Sequence, residues 1–394
     1  MPSANWRRLL VPDWQNAGFG IYIHWPFCQA KCPYCDFNSY VGGQVDFQRW
    51  QDAYLAEIAR YREETGPRVL NTIFFGGGTP SLMSPDLVAG LISRIRETWQ
   101  SVNNLEVTLE ANPTSVEAAK FRAFHEAGVN RISIGVQSLR DRHLRALGRM
   151  HTANEGRIAL ETAQKIFDRV SCDLIYARQN QTEQEWREEL QDALALGTRH
   201  LSLYQLTIED GTVFADRFKR GRLKGLPDDD IAADQWDVTQ ELCDAAGLPA
   251  YEVSNHAAPG EESAHNLIYW RYGDYLGLGP GAHGRLTANG KRWATVAVRR
   301  PDAWLEAVES GETGEEDRVD LPKNEQAEEY LMMSLRLSDG CDLKRLANLH
   351  DKTINPGALA EMQDAGMLWR QADRIGCTSD GRPVLNAVTR ALLA

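Results

Sequence analysis

Nowhere in this chain of 394 residues do about 18 uncharged apolar residues run together, so nothing in it reads as a membrane-spanning helix. Residues 1–20 lack the apolar core of a secretory leader, and the expectation is a cytoplasmic protein with no integral membrane segment. An excess of positive charge is missing as well: 43 Lys and Arg stand against 55 Asp and Glu, a formal charge of −12. No sequence-wide basic footprint therefore invites nucleic acid, and small or apolar ligands are the expected partners. Cysteine is scarce and odd in number, seven in all, which argues against a disulfide framework. Cys172, Cys243, Cys341 and Cys377 share no repeated spacing and read as ordinary buried or half-buried thiols.

The other three, Cys28, Cys32 and Cys35, form a CxxxCxxC pattern directly after an apolar run at 21–25. Three thiolates at this spacing can converge on one soft metal centre, and a [4Fe–4S] cluster with one iron left unligated is the leading candidate. A structural zinc site, which normally takes four ligands, and thiols that are merely close in the chain both remain open from spacing alone.

Apolar or β-branched runs recur at 72–75, 105–109, 131–136, 170–176 and 200–206, each followed by a segment of helical periodicity. Helix starts agree with this count. Ser84-Pro85 reads as an N-cap with proline at the first helical position, and Thr114…Glu117, Thr152…Glu155 and Thr182…Glu185 each fit a capping box. Gly128 and Gly197 sit where helices should stop. The expected class is α/β, a partial barrel of six β/α units. Such barrels gather their chemistry at the C-terminal ends of the strands. There the sequence places the cysteines, Gly76-Gly77-Gly78-Thr79-Pro80, Glu110-Ala111-Asn112-Pro113, Gln137-Ser138, Asp173, Tyr204 and Gln205. Each alone reads as a turn or a helix start; together they predict a ligand site.

The CxxxCxxC pattern, the Gly-Gly-Gly-Thr-Pro loop and the β/α order resemble the radical S-adenosylmethionine superfamily. The resemblance implies a [4Fe–4S] cluster whose open iron chelates S-adenosylmethionine, and a reductant whose electron, passed through the cluster, cleaves the sulfonium to a 5′-deoxyadenosyl radical. It implies further that Gly77, Gly78 and Thr79 hold the methionyl amino end and that Glu110 binds the ribose hydroxyls. Tyr22, Tyr34, Gln137, Arg149 and Asp173 match other cofactor-contact positions.

Residues 22–28, 33–39, 74–81 and 203–207 resemble the branch of oxygen-independent coproporphyrinogen III oxidase, and the resemblance covers nearly the whole chain. Two departures separate the chain from the oxidase itself. Phe37 stands where the oxidase has an extra cysteine, and only residues 1–20 precede the first strand. His265-Asn266-Leu267-Ile268-Tyr269-Trp270 resembles the HNxxYW haem-binding motif of the HemW haem chaperones. That implies haem as cargo, contacts from His265, Asn266, Tyr269 and Trp270, and delivery to acceptor haem proteins such as respiratory enzymes, with transient membrane association. Without the resemblance the stretch reads as a loop-to-strand edge with a satisfied histidine, and His256 and His283 are fallback ligands. Two rivals stay open: oxidative decarboxylation of coproporphyrinogen III, and a radical enzyme for another substrate with His265 merely structural. A third departure lies after the fifth strand. The family usually reads Gly-Leu-Pro-Gly-Gln-Thr there, whereas this chain has Ala177-Arg178-Gln179-Asn180-Gln181-Thr182, and a different backbone is expected.

The expected domains are an N-terminal extension (1–18), the core partial barrel (19–255), a segment carrying the haem motif (256–320) and a smaller C-terminal α+β unit of winged-helix type (321–394). Within these, a helix is expected near 231–246, a polar crossing segment at 290–320 with a solvated acidic linker at 309–317, three helices at 324–338, 342–350 and 356–366, and a hairpin at 368–378.

Overall fold

The computed structural model describes residues 12–351 and 354–394; most of the expected N-terminal extension, residues 1–11, lies outside the described residues. Six strands alternate with helices as the periodicity predicts: β1 (Phe19–Trp25), β2 (Val69–Gly77), β3 (Gln100–Ala111), β4 (Arg131–Gln137), β5 (Arg169–Tyr176) and β6 (His200–Gln205). All six run parallel in sequence order. The sheet then continues past both ends. β7 (Asn255–Ala257) adds antiparallel to β6, while β8 (Asp274–Leu278) pairs parallel with β1 and is extended by the antiparallel strands β9 (His283–Ala288), β10 (Lys291–Ala297) and β11 (Glu315–Asp320). The result is an open sheet of 11 strands in the order β11-β10-β9-β8-β1-β2-β3-β4-β5-β6-β7, a partial barrel rather than a closed one.

The crossover helices include α1 (Phe47–Thr65), α2 (Pro85–Thr98), α3 (Ala153–Gln164) and α4 (Glu183–Leu194), followed by α5 (Asp229–Ala245) and the short α6 (Ala264–Trp270). Ser84 caps α2 by accepting from the Leu87 N–H, and Thr152 with Glu155 and Thr182 with Glu185 form reciprocal capping boxes. Thr114 also accepts from the Glu117 N–H, but the Glu117 carboxylate accepts from the Thr114 hydroxyl at 3.3 Å, from Ser81 and from the Asn112 N–H at 3.0 Å rather than from the Thr114 N–H. Gly128 and Gly197 take positive φ at their helix ends, as expected.

Side-chain alternation separates the two faces of the sheet. On β4, Ile132, Ile134 and Val136 are fully buried in the main hydrophobic core, and Arg131, Ser133, Gly135 and Gln137 take the other face. β3 repeats this with Leu105, Val107 and Leu109 against Glu106, Thr108 and Glu110, and β6 with Leu201 and Leu203 against Ser202 and Tyr204. Parallel strands covered by helices on both faces read as continuous apolar runs. Here the helix-facing side is apolar and the inner face, apart from side chains such as Phe74 and Ile175, is polar, so it is built to meet polar groups.

Two stretches differ from expectation. Residues 290–320 carry strands β10 and β11 rather than a crossing segment, and Glu315, expected in a solvated linker, is half-buried with its carboxylate 3.1 Å from Arg60 and 2.8 Å from the Tyr61 hydroxyl. Both partners lie on α1, more than 250 residues earlier, so local composition could not announce them.

The C-terminal part comprises α7 (Lys323–Ser334), α8 (Leu343–Leu349), α9 (Pro356–Asp364) and α10 (Leu385–Leu393), with the antiparallel strands β12 (Cys341–Asp342), β13 (Leu368–Gln371) and β14 (Arg374–Cys377). The expected three helices and hairpin are present, and α10 is an additional helix. These elements enclose a second core around Leu331, Leu346, Ile375 and Leu392. Arg285 on β9 pairs with Glu329 on α7 at 2.8 Å, and the Tyr272 hydroxyl donates to the same carboxylate, tying this unit to the antiparallel wing of the sheet. Cys172 and Cys243 are buried in the first core, Cys341 and Cys377 in the second.

Candidate functional site

At the C-terminal ends of the parallel strands lies a cavity of about 280 Å³ whose wall includes Cys28, Cys32, Cys35, Tyr34, Gly77, Gly78, Thr79, Glu110, Gln137, Arg149 and Asp173. Of the residues expected around the cluster and S-adenosylmethionine, only Tyr22 is absent from this wall; it lines a neighbouring cavity. The cysteine loop leaves β1 and is stitched to the glycine loop after β2. The Gly78 N–H donates to the Trp25 carbonyl at 2.7 Å and the Thr79 N–H to the Phe27 carbonyl at 2.9 Å. A Cβ at Gly78 would lie 2.8 Å from that Phe27 oxygen, so glycine is what lets the two loops touch.

The polar groups of the wall are linked. The Thr79 hydroxyl donates to Cys28 Sγ at 3.5 Å and accepts from Asn112 Nδ2 at 3.2 Å. The Arg149 guanidinium donates to Asn112 Oδ1 at 2.6 Å, to the Gly135 carbonyl at 2.9 Å and to Cys32 Sγ at 3.5 Å. A fixed cation thus lies beside the Cys32 thiol. Glu110 is enclosed by protein although its side chain opens on the cavity. Burial, reinforced by the nearby Asp173 charge, pushes its carboxyl up to about 8, against a hydrogen bond from the Gly77 N–H at 3.3 Å and the Arg131 charge. Burial also raises the Asp173 carboxyl, opposed by the hydroxyls that hold it, Ser133 at 2.9 Å and Ser171 at 2.9 Å. Strand register builds this acidic patch, since Glu110 lies opposite Ser133 and Ser133 opposite Ser171.

Among the described residues no three His, Cys, Asp or Glu side chains converge closely enough to grip one metal ion. The thiols do share one wall, near enough that the charge of Cys32 adds to burial in raising both the Cys28 and Cys35 thiols. A cluster offers a separate iron to each thiolate, so three sulfurs spread around a cavity suit it, whereas zinc needs its ligands at one point. Gln137 supplies a second sign of fit. It ends β4 at φ 65°, and its buried Oε1 has no partner, an acceptor left over for a ligand.

The second cavity, about 640 Å³, adjoins the first and shares Asp36, Phe37, Gly77 and Glu110 with it. Its wall is aromatic, with Tyr22, Tyr269, Trp270 and Tyr275, and it also holds His24, His283, Arg299 and Met333. The expected haem motif occupies α6, and the fold divides it. His265 is fully buried against the inner face of the sheet, stacked on Phe74 at a ring separation of 5.0 Å. Its Nδ1 is 2.7 Å from the Thr72 hydroxyl and its Nε2 2.6 Å from the Tyr269 hydroxyl. Burial, followed by the Arg131 charge, lowers the imidazole to about 3. Both ring nitrogens of His265 are thus engaged by hydroxyls, and its side chain is not part of the second cavity's wall. Asn266 turns toward Tyr251 and lies outside the cavity wall, whereas Tyr269 and Trp270 line the cavity. Glu106 anchors the helix start by accepting from the N–H groups of Ala264 and His265, both at 3.0 Å.

The loop after β5 contains two left-handed residues. Ala177 and Asn180, at the two positions where the resemblance leads one to expect glycine, both take φ 55°, a conformation less suited to residues that carry a Cβ. Arg178 fills the interior of this loop and pairs with the buried Glu189. Sequence reading named neither Ser133 nor Ser171, which orient Asp173. The alternation of polar and apolar residues along β4 and β5 was the available signal.

A family model described as the radical SAM superfamily matches residues 22–193, and one described as the HemN C-terminal domain matches 321–384. The chain is 37% identical to the heme chaperone HemW of Escherichia coli, covering 95% of this chain and 98% of that one. It is also 37% identical to a mitochondrial radical S-adenosyl methionine domain-containing protein 1 of Bos taurus, over 98% of this chain and 89% of the relative. Its fold is similar to the solved structure of coproporphyrinogen III oxidase (HemN) from Escherichia coli, at a TM-score of 0.80 and 20% identity over 96% of this chain and 90% of the other.

Proposed function

The chain belongs to the heme chaperone HemW family within the radical SAM superfamily, and from that premise we propose that it holds an iron–sulfur cluster with S-adenosylmethionine in the first cavity and carries haem in the second for delivery to an acceptor haem protein. In this reading Cys28, Cys32 and Cys35 ligate the cluster. Gly77, Gly78 and Thr79 meet the methionyl end of the cofactor, and Arg149 fixes a carboxylate by charge. When bound, the cluster and S-adenosylmethionine together supply a low-potential electron and a source of organic radical. Glu110, held mainly protonated at neutral pH, offers one hydroxyl donor and one acceptor to the ribose hydroxyls. Asp173 and Gln137 add acceptors on the same wall, and Tyr34 closes it beside the thiols.

The observation that carries the haem assignment is the aromatic cavity beside the cluster wall, lined by Tyr269 and Trp270 and large enough for a macrocycle by the usual range of about 300–1,000 Å³ for ligand sites. Phe37 stands at the junction of the two cavities. The shared fold with coproporphyrinogen III oxidase favours one other reading, oxidation of a porphyrinogen in that same space. Anaerobic reconstitution of the cluster, followed by parallel assays with coproporphyrinogen III and with haemin, separates the two. Haem binding without decarboxylation is expected; turnover to protoporphyrinogen would sink the chaperone reading.

A further inference from the structure

Resting on the haem-carrying reading above, we propose that the protein ligand to the haem iron is His283 at the start of β9, and that His265 is a positioning residue that holds Tyr269 in the wall of the haem cavity.

The assignment comes from the ring nitrogens at the second cavity. His24 lines it, but its Nδ1 is 3.0 Å from the Tyr22 hydroxyl and its Nε2 is 2.9 Å from the Asn38 carbonyl. His265 lies behind the wall with both nitrogens bonded, as described above. His283 is exposed, lines the cavity, and has no side-chain hydrogen bond among the described residues. It alone of the three can offer a lone pair without breaking an existing interaction. Its backbone is held firmly, because β9 and β10 pair over six positions from His283 opposite Val296 onward. A Cβ at Gly277 would lie 2.3 Å from the His283 carbonyl oxygen, so the glycine in β8 admits this close approach.

The surroundings suit an iron porphyrin. Tyr269, Trp270 and Tyr275 supply faces on which a macrocycle can lie, and Met333 adds a soft, polarisable side chain. Arg299, in the same wall, forms no ion pair among the described residues and can receive a propionate. The buried indole N–H of Trp270 lacks an acceptor, as expected of a wall whose partner is a ligand. Tyr269 is placed by His265 through the 2.6 Å hydrogen bond and an edge contact at 4.7 Å, which gives the buried histidine its role.

The test is a haemin titration of the reconstituted protein, following the Soret band and the spin state, on the wild type, His283→Ala and His265→Gln. His283→Ala is expected to lose the wild-type ligand signature and to weaken binding by roughly ten- to a hundredfold, the scale on which partners of a metal site act. Added imidazole should restore the signature. Cluster absorption in each variant reports that the chain has folded. His265→Gln should keep the wild-type ligand signature. An unchanged Soret band and affinity in His283→Ala, or loss of the signature in His265→Gln alone, would overturn the assignment while leaving the chaperone reading intact. Failure of the wild type to bind haemin would remove both.

Discussion

The first cavity draws its wall from loops and strand ends scattered between Cys28 and Glu209, whereas the haem motif packs four expected contacts into residues 265–270. The scattered set is brought together and the compact set is divided. A parallel sheet aligns its strand ends by register, so side chains at successive strand ends meet however far apart they lie in the chain. A helix does the opposite. Over α6 it turns His265 onto the sheet while Trp270 faces the cavity, and adjacency in sequence becomes separation in space. A linear motif therefore names a segment, and only packing decides which of its members can touch a ligand.

Loss of the cluster would test the scattered set most severely. Replacing Cys28, Cys32 and Cys35 by Ala should abolish the visible absorption of the reconstituted protein, and persistence of that absorption would detach the ring from any iron–sulfur role. The next largest effect separates the two histidines by stability rather than binding. His265→Ala strands the Thr72 and Tyr269 hydroxyls inside the barrel and should cost about 2–4 kcal/mol in urea unfolding. His283→Ala, at an exposed position, should stay within about 0.5 kcal/mol. Equal costs would erase the distinction drawn between motif and cavity.

Glu110 sharpens the comparison through pH. Its folded carboxyl, at about 8, lies above the ordinary value of 4.5, so the folded state binds more protons than the unfolded state between these limits. This contribution to stability is therefore fully present below about pH 4.5 and declines as pH rises through 8. Glu110→Gln should flatten that part of the stability profile in the ligand-free protein; an unchanged slope would show that the carboxyl is not held protonated. The smallest effect belongs to the loop after β5. Ala177→Gly should relieve the left-handed strain and stabilise the chain by about 1 kcal/mol, partly offset by backbone entropy, as thermal unfolding would register.

Much of the first half was legible because its signals are local. The six strands, the Thr152 and Thr182 capping boxes and the glycine helix ends at Gly128 and Gly197 each depend on residues within a few positions of one another. The polar inner face was legible too, in the run Arg131, Ser133, Gly135 and Gln137, though it shows only when β4 is read by alternation. Strands β9 to β11 were not legible, since their sequences carry charge and glycine and gain their apolar support from α1 and β8. The division of the haem motif was equally hidden, because Thr72, which occupies one nitrogen of His265, lies 193 residues away in the chain.

By itself the sequence determined which residues alternate, which helices are capped and where three thiols and three glycines would stand at strand ends, because periodicity, capping and turn chemistry act over short spans. Tertiary structure alone decided which lone pairs are left free. A histidine becomes a ligand or a strut according to what fills the space beside each ring nitrogen, and here the neighbours of His265 and His283 come from strands and helices that meet only in the folded molecule.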